Sequence, residues 1–132
     1  MQAALDATLA YAKIRVQFGQ PIGANQVVKH RLVEMAVKCE EARSIGLKAL
    51  ILASERGDAA TRSRAVSAAK IKISKAARSV CEEAIQLHGG MGVTEELEVC
   101  GYLKRALAFE AVLGTSRWHK QRYAASRGEI DN

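Results

Sequence analysis

Between Val28 and Ala53 the residues Val28, Leu32, Met35, Cys39, Ala42, Gly46, Ala49 and Ala53 recur at alternating spacings of four and three. This heptad seam commits residues 26–56 to one long helix, packed at about +20° against a neighbour. The seam shrinks from large to small side chains toward Ala53, so the neighbouring helix must come closer there. Residues 59–88 repeat the pattern through Val66, Ala69, Ile73, Ala76, Val80, Ala84 and Leu87. Glu55 to Asp58 form the turn between them, with Asp58 as N-cap.

Two shorter helices complete the pattern. Residues 2–17 place Leu5, Leu9, Ala12 and Val16 on one face. Phe18-Gly19-Gln20-Pro21-Ile22-Gly23 then breaks the helix: Gly19 suits the position past its end, and Pro21 cannot continue the ladder. Asn25 is the expected N-cap of the long helix. A fourth helix starts with Thr94, Glu95 and Glu96, a capping hydroxyl followed by acids in the first turn, and runs to about Leu113. Gly114-Thr115-Ser116 interrupts it, and a short basic helix follows from Arg117 to about Ser126. No strand pattern is found. The 132 residues therefore predict a single all-α domain, an up-and-down four-helix bundle with a short additional C-terminal helix.

Other function classes are bounded by what the side chains can do. The net charge of +6 favours anionic partners. The helix over 59–88 carries Arg62, Arg64, Lys70, Lys72, Lys75 and Arg78, which a solvated face explains. A nucleic-acid surface is disfavoured, because no aromatic residues interleave for base stacking. Cys39, Cys81 and Cys100 are far apart, odd in number and on apolar positions, which predicts buried free thiols. His30, His88 and His119 have no ligand-like spacing, so no metal site is expected. No apolar run approaches the ~18 residues of a membrane span, and no signal-peptide pattern opens the chain. These features predict a cytoplasmic protein.

The stretch Gln86-Leu87-His88-Gly89-Gly90-Met91-Gly92 ends the third helix. Gly89-Gly90 reads simply as a C-cap, since glycine takes a left-handed conformation without a Cβ penalty. Alternatively, the absent side chains let the backbone approach a flat or phosphate-bearing ligand. The spacing leaves both readings open. It is neither a G-x-G-x-x-G nor a phosphate loop.

Three stretches in order carry a resemblance. They are Tyr11-Ala12-Lys13-Ile14-Arg15-Val16-Gln17-Phe18-Gly19-Gln20-Pro21-Ile22 with Gln26; Gln86 to Gly92; and Gly114-Thr115-Ser116. Together, and over roughly residues 1–127, they resemble the C-terminal helical domain of acyl-CoA dehydrogenases. The resemblance implies an FAD-dependent enzyme that oxidises acyl-CoA to 2-enoyl-CoA, with FAD taking the hydride and a glutamate taking the α-proton. It implies that residues 1–132 are one domain of a longer protein, entered inside its first helix, whose N-terminal helical and middle β domains are absent here. It also implies a homo-oligomer, dimer or tetramer, with FAD across a subunit interface, and an electron-transfer partner protein.

By the same resemblance, Arg15, Gln17 and Phe18 contact the FAD of the adjacent subunit around its pyrophosphate. A bidentate guanidinium suits that diphosphate. Gln26 matches a cofactor-contacting glutamine, while Asn25 stands where relatives often have histidine. Gln86, Gly89 and Gly90 receive the adenosine-diphosphate end, and Thr115 lies near the FAD phosphates of the subunit's own site. Where many members carry the catalytic glutamate, this chain has Leu113, which cannot accept a proton. Glu110, three residues earlier, is about one helical turn away and is expected to be a structural glutamate. The base then lies on a segment preceding Met1, or the subunit is a catalytically silent FAD-binding member of a hetero-oligomer. A stand-alone basic helical binding module is the remaining alternative.

Overall fold

The computed structural model describes residues 1–55, 58–90 and 98–126. They form α1 (Gln2–Ile14), a two-stranded hairpin of β1 (Val16–Gln17) and β2 (Gln20–Pro21), a 3-10 turn (Ile22–Ala24), α2 (Gln26–Ser54), α3 (Ala59–His88), α4 (Glu98–Ala111) and α5 (Ser116–Ala125). The architecture is the expected all-α, four-helix bundle with a short fifth helix.

Helix α3 is the axis. It packs against α1, α2, α4 and α5, most extensively against α2. One seam therefore does not suffice. The predicted stripe buries Ala69, Ala76, Val80, Ala84 and Leu87, and a second stripe of Ser67, Ser74, Cys81 and His88 is buried at sevenfold spacing. Those residues are small or polar, so periodicity in apolar residues did not reveal the stripe. On α2 the seam buries Leu32, Met35, Cys39, Ala42 and Ala49, and Gly46 lies against Ile73, where an added Cβ would stand 3.4 Å from its Cδ1. The close approach predicted for the small residues is present, but Ala53 and Val66 at the seam's far end are exposed. Helix α1 contributes Ala4, Leu5, Thr8 and Ala12, and the Thr8 hydroxyl donates to the Ala4 carbonyl at 2.6 Å. That bond lets a polar residue sit in the core at little cost.

Several boundaries differ from the sequence reading. Helix α1 stops at Ile14, not at residue 17, because Val16 and Gln17 pair with Pro21 and Gln20. Phe18 (φ 52°) and Gly19 (φ 80°) form the turn, and positive φ at both central residues is the geometry a two-residue hairpin requires. Gly19 is thus a hairpin residue rather than a helix cap. Asn25 occupies the N-cap position of α2 without a side-chain capping bond; its Oδ1 accepts from Gln20 Nε2 instead, at 3.3 Å. Helix α4 ends at Ala111 rather than Leu113, since Leu113 (φ 60°) and Gly114 (φ 104°) turn left-handed. The cap predicted at Thr94, Glu95 and Glu96 lies outside the described residues. Asp58 behaves as expected, accepting from the N–H groups of Ala60 (3.1 Å) and Thr61 (2.8 Å). Cys39 and Cys81 are buried free thiols, each pushed up by burial, and Cys100 is free and half-buried.

Four basic side chains of α3 are tied to neighbours within the chain. Lys72 pairs with Glu41 at 2.8 Å and Arg78 with Glu82 at 2.7 Å. Arg64 donates to the Ser126 carbonyl at 3.2 Å, and Lys70 donates to the Phe109 carbonyl at 2.6 Å. Among the described residues no helix is long and apolar enough to cross a membrane, and no cluster of three or more metal-ligating side chains occurs.

Candidate dinucleotide cleft

Where α1 ends, Arg15 adopts an extended conformation and its N–H closes on the Tyr11 carbonyl at 2.9 Å. The Ile22 N–H then bonds the Arg15 carbonyl at 2.8 Å. The hairpin is thereby folded back on the end of α1, which fixes the backbone beneath Arg15 and Gln17. Helix α3 ends beside it. Gly89 (φ 63°) closes the last turn through an N–H bond to the Gln86 carbonyl, so the C-cap reading holds. A Cβ built on Gly89 or on Gly90 would meet nothing within 4 Å, so the second reading, open space for a ligand, is compatible with it.

A cleft of about 480 Å³ lies between these two chain ends, lined by Tyr11, Arg15, Gln17, Ile22, Gln86, Leu87, His88, Gly89 and Gly90. Five of the residues singled out in the sequence thus meet here, although about 70 positions separate Arg15 from Gln86. Phe18 is not in the cleft wall but at the hairpin tip, 97% exposed. Gln26 is the exposed first residue of α2 and does not line the cleft. Tyr11, Ile22, Leu87 and His88 are the wall residues that the sequence reading did not single out. Tyr11 and His88 stack, with ring centroids 4.2 Å apart. Their place inside the two long motifs was the available signal.

The wall is electrostatically uneven. Among the described residues no carboxylate pairs with the Arg15 guanidinium. At the opposite wall α3 ends in outward-facing carbonyls, the negative end of its dipole. A wider groove of about 730 Å³ on α2, bounded by Val33, Val37, Ile45 and Lys72 among others, holds none of the predicted site residues.

Thr115 lies elsewhere. It caps α5, its Oγ1 accepting from the Trp118 N–H at 3.3 Å. The following helix is latched to α3 by His119, whose Nδ1 is 3.2 Å from Ser67 Oγ and whose Nε2 is 3.1 Å from the Leu113 carbonyl. Ser67 and His88 are 21 residues apart on α3, about 31 Å at the helical rise. Arg15 and Thr115 of one chain therefore belong to two different places. Leu113 points nothing reactive outward: it is 87% exposed and apolar. Glu110 sits on the last turn of α4, where its Oε1 accepts from Ser116 Oγ at 3.2 Å.

The chain matches the acyl-CoA dehydrogenase C-terminal domain family over residues 1–127. It is 44% identical to a probable acyl-CoA dehydrogenase, YngJ, of Bacillus subtilis over 115 residues, which cover 87% of this chain and 30% of YngJ. The structure resembles butyryl-CoA dehydrogenase from Megasphaera elsdenii with a TM-score of 0.87 at 30% identity, covering 99% of this chain and 33% of that one. An FAD complex of PigA is similar to the same degree, with a TM-score of 0.87 at 29% identity, over 96% of this chain and 32% of that one. The fold is that of a helical-bundle domain of this kind, and this chain belongs to the acyl-CoA dehydrogenase family as its C-terminal domain. It spans about a third of the length of these relatives.

Proposed function

We propose that this domain binds FAD at a subunit interface and so serves an acyl-CoA dehydrogenase that oxidises acyl-CoA to 2-enoyl-CoA. One observation carries the reading. Arg15 and Gln17 from the first helix and its hairpin share a cleft with Gln86, Gly89 and Gly90 from the end of the third. Those residue types suit a dinucleotide. A guanidinium without a carboxylate partner among the described residues fits a diphosphate, the two amide side chains can donate or accept, and the glycines leave room for close backbone approach. Bound FAD would supply the hydride acceptor; this chain's part is to bind and orient it.

Thr115, about 31 Å away along α3 by the helical rise, would serve a second cofactor. Its oxygen already accepts one bond, so its O–H and the N-terminus of α5 remain to face a phosphate. Phe18, exposed at the hairpin tip, and Gln26 at the start of α2 would contact the cofactor beside the cleft. Two half-sites on one chain require a second copy to complete each, so a dimer or tetramer follows. Leu107, Phe109 and Trp118 offer apolar surface for such contacts, all exposed. An electron-transfer protein would then reoxidise the flavin.

The test is titration of the full-length apoprotein with FAD. Arg15→Ala should loosen FAD by about 1.5–3 kcal/mol, the range for hydrogen bonds to charged groups. Equal affinity in wild type and variant would remove Arg15 from the site.

A second reading rests on Leu113. The turn between α4 and α5 presents no carboxylate at that position, and Glu110 is engaged by Ser116. The base is therefore supplied from outside residues 1–132, or the subunit binds FAD without catalysing. We expect Glu110→Gln to leave single-turnover flavin bleaching by an acyl-CoA within about tenfold of wild type, against the orders of magnitude lost when a true base is displaced. A thousandfold loss with FAD still bound would make Glu110 the base.

A further inference from the structure

A hollow of about 220 Å³ is lined by residues of α2, α3 and α5. Two of its walls are built alike. Helix α2 sets Lys48 beside Ala49, and α3 sets Arg64 beside Ala65, with Ala68 a turn further on. Packed helices ordinarily interdigitate larger side chains at facing positions, so three alanines leave space between them. Ile45 and Leu52 add apolar surface to the lining, and Tyr123 of α5 completes it. Arg64 and His88 are 24 residues apart on α3, about 36 Å by the helical rise, so this hollow is separate from the cleft.

Among the described residues no carboxylate lines the hollow, and its two cations are held differently. Arg64 donates to the Ser126 carbonyl and to Thr61 Oγ1, each at 3.2 Å. A guanidinium has donors to spare after two bonds, and these two fix its position beforehand. Asp58 acts on Arg64 electrostatically, but its carboxylate is taken up by the Ala60 and Thr61 N–H groups and the Thr61 hydroxyl. The groups left over come from the neighbouring helices. Neither the Lys48 ammonium of α2 nor the Tyr123 hydroxyl of α5 has a partner among the described residues.

We propose that this hollow binds a short-chain carboxylate, its charged end on Lys48, Arg64 and the Tyr123 hydroxyl and its alkyl chain on the alanine-lined wall. The two cations select the sign of the ligand, and charge-assisted bonds to a carboxylate are the strong ones. The apolar lining selects a carbon chain, which inorganic phosphate lacks. The volume lies below the roughly 300–1,000 Å³ of sites for drug-sized ligands, so the chain is short. A ligand in this place touches three helices at once. It binds only where α5 is docked on α2 and α3, and so stabilises that arrangement.

The experiment is calorimetric titration of the full-length protein with hexanoate, with hexanol and inorganic phosphate as comparisons. Wild type should take up one hexanoate per subunit here and bind hexanol at least about tenfold more weakly, the scale of hydrogen bonds to a charged group. Equimolar phosphate should displace little of the hexanoate. Lys48→Met keeps the apolar stem, removes the charge and breaks no bond among the described residues. It should weaken hexanoate about tenfold or more and leave hexanol unchanged. Ala68→Leu fills the hollow and should abolish uptake with both cations in place. Equal binding of hexanol by wild type removes the cations from the site and overturns the proposal. Ready displacement by phosphate shows a bare charged surface and overturns it too. Hexanoate uptake unchanged in Lys48→Met puts the ligand elsewhere, and no uptake by wild type ends the idea outright. Wild type and Lys48→Met decide the matter even if Ala68→Leu fails to fold.

Discussion

The two ends of α3 are built from the same kinds of residue and differ in how many polar groups are left over. At the Ser67 end, His119 has both ring nitrogens within bonding distance of partners, Arg64 reaches Ser126 and Thr61, and the Thr115 oxygen caps α5. At the His88 end, the Arg15 guanidinium lines a cleft and has no carboxylate partner among the described residues. Polar groups bonded within the fold hold elements in register. Polar groups left facing a cleft are available to a ligand, and leaving them so lowers stability unless water or a ligand takes them up. The contrast separates a latch from an open cleft wall on one helix.

His119→Ala is the strongest way to test the latch. It opens a void at a residue 2% exposed and leaves Ser67 Oγ without its partner. A loss of about 2–4 kcal/mol in denaturant-unfolding stability is expected. Arg15→Ala, at the other end, should leave apoprotein stability within about 0.5 kcal/mol while weakening FAD as stated above. If the two variants lose similar stability, the contrast between the ends is wrong.

The glycines sharpen it further. Gly114 has φ 104°, and a Cβ there would lie 2.8 Å from Trp118 Cε3, whereas Gly89 has φ 63° and open space around it. Gly89→Ala incurs only the backbone cost of a conformation (φ 63°, ψ −144°) that essentially only glycine adopts, about 1–3 kcal/mol. Gly114→Ala adds a clash on the tightly packed side and should cost about 1–2 kcal/mol more. Chemical denaturation of both variants gives the comparison; equal losses would mean that the latch end gives way easily.

The smallest effect lies at the start of α3. The Thr61 and Ala60 N–H groups hold the Asp58 carboxyl below its ordinary value. A depressed folded-state pKa adds stability at neutral pH, present above the unfolded value and lost as pH falls through the folded one. Stability should therefore decline on the acid side below about pH 4, and Asp58→Asn should flatten that decline slightly. An unchanged acid limb would show that the cap's charge contributes nothing.

The helical periodicities identified α2 and α3 and the seam each buries, because a heptad seam is a property of local spacing. They also gave the Asp58 cap and the Gly89 terminus, where one residue type meets one backbone need. The hairpin was missed for a nearby reason. Val16 and Gln17 continue the pattern of α1, and only the pairing with Gln20 and Pro21 makes them strand. The second buried stripe of α3 was illegible, since Ser67, Ser74 and His88 carry no apolar signal and are buried only because α1, α4 and α5 also pack on that helix.

The residues of the cleft were legible by resemblance, and their meeting was not. The resemblance singled out one guanidinium, two amides and two glycines. Only the tertiary structure decided that Arg15 and Gly89 line one cleft, that Gln26 stays outside it, and that His88 joins it, stacked on Tyr11. Those outcomes depend on where helices of different length end relative to one another. Helix ends are set by packing and turn geometry across the whole bundle, and no local spacing records them.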